Sequence, residues 1–144
     1  MVEEIITDIE SETGNDCQKI DSILNEQVLQ ISGEDLRQVV EMLKQKHEFH
    51  HLSAITAQIL ENDSDYVELL YHFWKGFGFT LLLRLKKENP VIDSIIDHIP
   101  GSDFYEREVA EMYGVEFNFR DRIPPLLLPD DWVDGPPMLT EKKA

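Results

Sequence analysis

One cysteine, Cys17, in a chain of 144 residues rules out an internal disulfide. It also rules out a cysteine-ligated iron–sulfur cluster or zinc ribbon, because each needs several thiolates. Basic residues are scarce: 13 Lys and Arg stand against 29 Asp and Glu, a formal charge of −16. A nucleic-acid interface needs clustered cations, so that class is excluded. No apolar run approaches the roughly 20 residues of a spanning helix, and no basic-then-apolar start marks a signal peptide. The chain is therefore expected to be intracellular, with any membrane contact running through partners.

What is present is a scaffold with two unusual segments. Residues 1–25 are expected to be an acidic, solvated and partly ordered arm. In it Ile5, Ile6 and Ile9 share one helical face, Ile20, Ile23 and Leu24 share another, and Thr13-Gly14-Asn15 marks a break. Gln27 to Ile31 reads as a strand. Ser32 then opens a helix, with Asp35 in the acidic slot of a capping box and Ile31 and Leu36 as a hydrophobic staple. Its buried stripe is Leu36, Val39, Val40 and Leu43.

Phe49 to Leu60 carries β-branched residues suited to a strand, and residues 61–64 read as a turn. Tyr66 to Trp74 and Phe77 to Leu85 both alternate across Lys75-Gly76, which predicts a β-hairpin. Asn89-Pro90 predicts a helix start, with Ile92, Ile95, Ile96 and Ile99 as its stripe. Asp103 and Glu106 have capping-box spacing at the head of a further helix that Gly114 ends. Val115 to Phe119 reads as a short strand. The result is an α/β (α+β two-layer) fold: a mixed sheet with a central hairpin, packed by two or three helices.

The first unusual segment is the helix from Phe104 to Gly114, which concentrates Glu106, Arg107, Glu108 and Glu111. Two carboxylates on one helix face could act as acid and base. Arg107 lies four residues before Glu111 and can pair with it, and no nucleophile or phosphate cradle accompanies them. A charged structural helix is the better reading. The second segment is Leu126-Leu127-Leu128-Pro129-Asp130-Asp131-Trp132 in a tail where five of the seven prolines fall. Proline forces this tail to be extended. Its apolar side chains must fold back on the domain or bury in another subunit.

His47-Glu48-Phe49-His50-His51 matches the H-E-x-x-H zinc-protease pattern. That chemistry needs His47 and His51 on one helix face beside Glu48. The match falls where a helix pattern gives way to a strand pattern, so a zinc hydrolase is a weak alternative. A free-standing acidic adaptor is another.

Glu106-Arg107-Glu108-Val109-Ala110-Glu111-Met112-Tyr113-Gly114, followed by Leu126 to Trp132, resembles the two signature blocks of the complex I 30 kDa subunit family. The resemblance covers about Gln27 to Trp132. Three positions depart from the family pattern. Glu111 stands where Asp is usual; Arg120 to Pro125 replace a histidine, a proline and basic residues; and the tail ends differently. In these the chain resembles the short form found in membrane-bound energy-converting [NiFe] hydrogenases of the Ech type.

The resemblance implies a mixed α/β domain at residues 26–120 with an extended docking tail at 121–144. It implies no catalytic residue and no cofactor or metal in this chain. The [NiFe] site and [4Fe-4S] clusters would lie in partners. Those partners are a large catalytic (49 kDa-like) subunit and a small iron–sulfur (20 kDa-like) subunit of a hetero-oligomeric, ion-translocating complex with membrane subunits. The complex would place the chain on the cytoplasmic side of the cell membrane. The alternative is the 30 kDa-type subunit of a complex I-like NADH/F420H2:quinone dehydrogenase. The implied contact residues are Glu106, Arg107, Glu108, Glu111, Gly114 and Leu126 to Trp132.

Overall fold

The computed structural model describes residues 2–20, 27–60, 63–120, 126–129 and 131–139. The alternating hairpin is its centre. β4 (Asp63–Trp74) and β5 (Gly78–Lys86) pair antiparallel from Tyr66 opposite Lys86 to Trp74 opposite Gly78. The Lys75 amide closes the turn on the Phe77 carbonyl at 2.9 Å, and Gly76 takes φ +70 there. Val67, Leu69, Tyr71 and Phe73 face Leu81, Leu83 and Phe79 on the buried side, each at most 2% exposed. Period-two alternation thus becomes one apolar sheet face.

Three strands extend the hairpin. β3 (Leu52–Leu60) pairs antiparallel with β4, β2 (Gln27–Gln30) runs parallel to β5, and β1 (Gln18–Ile20) runs antiparallel to β2. The mixed sheet has the order β1-β2-β5-β4-β3. α2 (Leu36–His47) buries Leu36, Val39, Val40 and Leu43, as its spacing predicts. It ends at Glu48, whose left-handed backbone (φ 57) turns the chain toward β3.

Several expectations change. The acidic start is not a solvated arm over its first turns. α1 (Val2–Thr13) buries Val2, Ile5 and Ile9 in the main core and packs on α2. Its polar side is tied down by Asp8 to His47 at 2.6 Å and Glu12 to Lys46 at 3.0 Å. The apolar spacing is visible in the sequence; the ties from α2 make ordering it favourable despite its charge. Ile20 lies in β1 rather than on a helix face, while Ile23 and Leu24 lie outside the described residues.

The helix expected from Pro90 is not formed. β6 (Val91–Asp93) is a strand, parallel to β7 (Glu116–Asn118), and only single turns follow it to Ile99. Pairing with β7 outweighs the N1 preference of proline, because the Pro90 carbonyl accepts the Glu116 amide at 2.8 Å. Strand β3 begins three residues later than the pattern from Phe49 suggests, with Phe49 serving as the helix-end contact to Leu43.

Neither capping box is made. A 3₁₀ turn, Gly33–Asp35, runs straight into α2, and another, Pro100–Ser102, runs straight into α3 (Asp103–Tyr113). Asp35 and Ser102 therefore have helical backbone angles at the cap positions, and neither they nor Ser32 make a side-chain cap bond.

Candidate functional site

α3 and the segments packed on it assemble the two sequence blocks. On its inner side Val109 is buried, and the Tyr113 hydroxyl donates to the Ala57 carbonyl at 3.0 Å, fixing the helix to β3. Burial raises the Tyr113 pKa, helped by the Glu108 charge. Glu108 and Met112 line a cleft between α3 and β3, with Met138 of the tail at its rim.

Glu106 does not serve the helix terminus. It is fully buried, and its carboxylate accepts from Ser94 Oγ at 2.6 Å, the Ile95 amide at 2.9 Å and Arg120 Nη1 at 3.0 Å. Arg120 Nη2 also reaches Asp103 at 2.5 Å. One buried carboxylate thus joins α3, the loop after β6 and the segment leaving β7. A buried charge is tolerated only when paired and fully hydrogen-bonded, and this arrangement meets both needs. The Tyr71 phenol nearby is driven well above its ordinary pKa by burial and then by the Glu106 charge.

Glu111, one turn further on, holds the tail. Oε1 accepts the amides of Leu126 at 3.1 Å and Leu128 at 3.0 Å, and Oε2 accepts the Leu127 amide at 2.7 Å. Burial pulls this carboxyl's pKa up. The amides of Leu127, Leu128 and Leu126, with the Arg107 charge, outweigh that and leave it lowered. Arg107 pairs with Asp103 at 3.9 Å and so contributes to both ends of the helix.

Further along, the Met138 amide donates to the Met112 carbonyl at 2.9 Å, and Pro136 and Leu139 sit over Gly114. The tail thus folds back at two points. At the first point Leu127 is 55% exposed, and between the two Trp132 is 41% exposed and Val133 88%. Trp132 is held locally, its indole donating to the Gly135 carbonyl at 2.6 Å and its amide to the Pro129 carbonyl at 3.0 Å. Pro129 and Asp131 are exposed beside it, and Asp130 lies outside the described residues, as do Pro124 and Pro125.

Gly114 has φ +71, and a Cβ there would stand 3.0 Å from Pro136 Cγ. Gly114→Ala is therefore expected to cost about 1–2 kcal/mol from the left-handed backbone alone, and to loosen Pro136. Thermal unfolding checks this, and an unchanged melting temperature would contradict it.

The zinc-type pattern is not brought together on one helix face. α2 ends at His47, Glu48 is left-handed, and His50 and His51 lie beyond the helix. His47 faces Asp8 of α1 instead. Among the described residues no group of three or more His, Cys, Asp or Glu is disposed to hold a metal ion, and no helix is long and apolar enough to cross a membrane.

Sequence spacing misses Ser94, the Ile95 amide and Arg120 as partners of Glu106. The available signal is Arg120, a cation just past β7 that stands beside Asp103. Spacing also misses that Glu111 binds main chain. The signal there is three residues with amides to donate, Leu126 to Leu128, in a proline-rich run that is expected to be extended and instead bends, so that three successive amides converge on one carboxylate.

The family model described as the respiratory-chain NADH dehydrogenase 30 kDa subunit matches residues 29–144. The C subunit of the F420H2 dehydrogenase of Methanosarcina mazei is 30% identical over 106 residues, covering 71% of this chain and 66% of its own. The C subunit of the NADH-quinone oxidoreductase of Moorella thermoacetica is 27% identical over 111 residues, covering 75% and 74%. In fold, the chain is similar to one in the membrane-bound sulfane sulfur reductase, an archaeal respiratory membrane complex. There the TM-score is 0.69 at 19% identity, over 90% of this chain and 78% of that one. It is also similar to a trypsin-resistant fragment of Nqo5, with a TM-score of 0.67 at 19% identity over 84% and 98%.

Proposed function

This chain belongs to the family of the respiratory-chain NADH dehydrogenase 30 kDa subunit, and from that premise we propose that it is a non-catalytic assembly subunit. It holds the large catalytic subunit, beside a small iron–sulfur subunit, in the peripheral arm of a membrane-bound, ion-translocating oxidoreductase on the cytoplasmic side. The nickel–iron or quinone site and the [4Fe-4S] clusters belong to those partners.

The observation that carries this reading is the Glu111 clamp. It fixes Leu126 to Leu128 by their amides and leaves Leu127 and Trp132 turned out to solvent. A pre-ordered apolar segment loses little entropy on docking, which favours binding over chemistry. The departures from the family pattern after β7 support the energy-converting [NiFe] hydrogenase branch. The names of the two relatives, a dehydrogenase and a quinone oxidoreductase, favour a second reading, the 30 kDa-type subunit of a complex I-like quinone or F420H2 dehydrogenase.

The test is purification of the complex through a tag on this chain. The double variant Leu127→Asp, Trp132→Ala keeps the backbone clamp and is expected to lose the large subunit. Unchanged co-purification sinks the docking role. Nickel together with two Cys-x-x-Cys pairs in the recovered large subunit supports the hydrogenase branch, and their absence supports the dehydrogenase branch.

A further inference from the structure

We propose that Phe119 is an anchor for the partner subunit, an aromatic knob held out of the fold to seat in an apolar pocket with a basic rim. The inference rests on the assembly role above and adds the residue and the chemistry of the surface that receives it.

Phe119 follows β7 with φ +64. In that left-handed region a Cβ crowds the following carbonyl, and a bulky residue is a true outlier. Glycine or asparagine would relieve the strain. The same side chain is 73% exposed, so burial within the chain does not offset the strain. Its ring lies 5.1 Å from the Arg37 guanidinium. Arg37 is itself immobilised by a bidentate pair with Asp97 and by the Ser94 carbonyl at 2.6 Å. The ring therefore rests on a fixed cation while most of its surface faces solvent. Strain that the surroundings hold in place points to a functional contact, and aromatic residues are enriched at interface cores.

The surroundings define what would receive the ring. Asp97 reaches Phe119 through Arg37, and Asp93 accepts from Asn118 at 3.1 Å. Asp103 is bound to Arg120, the next residue in the chain. The Asp97 and Asp103 side chains are 54% and 43% exposed. With a chain charge of −16, a complementary rim is basic.

The experiment uses the tagged full chain in cells that make its complex. For Phe119→Gly, the isolated chain is expected to melt about 2–4 °C higher than the wild type, because the left-handed strain is gone. Recovery of the large subunit is expected to fall about tenfold or more. Phe119→Leu keeps the strain and part of the apolar contact, so its melting temperature stays put and recovery is intermediate. Wild-type recovery falls as salt rises.

Full recovery with Phe119→Gly, or a lower melting temperature for it, overturns the anchor. Salt-independent recovery overturns the basic rim. If the Leu127→Asp, Trp132→Ala chain releases the partner and Phe119→Gly does not, the anchor alone fails. If the wild-type chain recovers no oxidoreductase subunit, the assembly role fails first.

Discussion

Glu106→Ala is expected to lower the unfolding free energy by about 3–4 kcal/mol, a large part of a small domain's total. The size follows from what the carboxylate leaves behind. Among the described residues, Arg120, whose side chain is 10% exposed, would keep only Asp103 as an ion-pair partner. Ser94 Oγ and the Ile95 amide, both buried, would lose their acceptor. Removing one partner of a buried pair costs more than the pair itself contributes, because the remaining polar groups stay out of water. The readout is the urea midpoint at constant slope. A loss below about 1 kcal/mol would show that the loop after β6 does not depend on Glu106. The double variant Glu106→Leu, Arg120→Met separates charge from packing. It is expected to recover part of the loss, since Asp103 is half-exposed and keeps Arg107 at 3.9 Å.

The same residues show where sequence reasoning succeeds and where it stops. The hairpin of β4 and β5, the stripe of α2 and the end of α3 at Gly114 are all legible. Each is decided by local spacing and one turn or stop residue, and each local preference agrees with the packed structure. The helix expected from Pro90 fails because its local preference loses to a distant partner, β7, some 25 residues on in register. Glu106 reads as a capping residue, wrongly, for the same reason. Three-residue spacing describes one turn of helix, whereas its partners Ser94 and Arg120 come from 12 residues before and 14 residues after. Ile5 and Ile9 in α1 are visible as a stripe, but the acidic composition around them outweighs it. Composition does not reveal that His47 and Lys46 stand opposite Asp8 and Glu12. The signature helix is legible as a block, and its meaning depends on those long-range contacts.

Glu111→Gln is expected to loosen the tail without unfolding the domain. The amides of Leu126, Leu127 and Leu128 all donate to one carboxylate. Bonds to a charged acceptor are worth more than neutral ones, although the solvent around this part-exposed group reduces them. A local loss of about 2 kcal/mol corresponds to roughly 30-fold faster hydrogen exchange at those three amides, with core amides of β4 and β5 unchanged. Exchange left as slow as in the wild type would mean that Pro136 and Leu139 over Gly114 hold the tail by themselves. The clamp should also respond to acid. The Glu111 pKa is lowered in the folded chain from its ordinary 4.5. The stability it contributes is therefore complete above 4.5 and is lost as the pH falls through the lower folded value. The amide resonances of Leu126 to Leu128 are expected to shift together with a midpoint below 4.5, and the Gln variant should lack that transition. A midpoint at or above 4.5 would show that burial outweighs the three amides. Because Leu127 and Trp132 are presented by this clamp, the Gln variant tests pre-organisation directly. Weaker capture of the large subunit by a chain whose core is intact would place the cost in ordering the arm rather than in lost contacts.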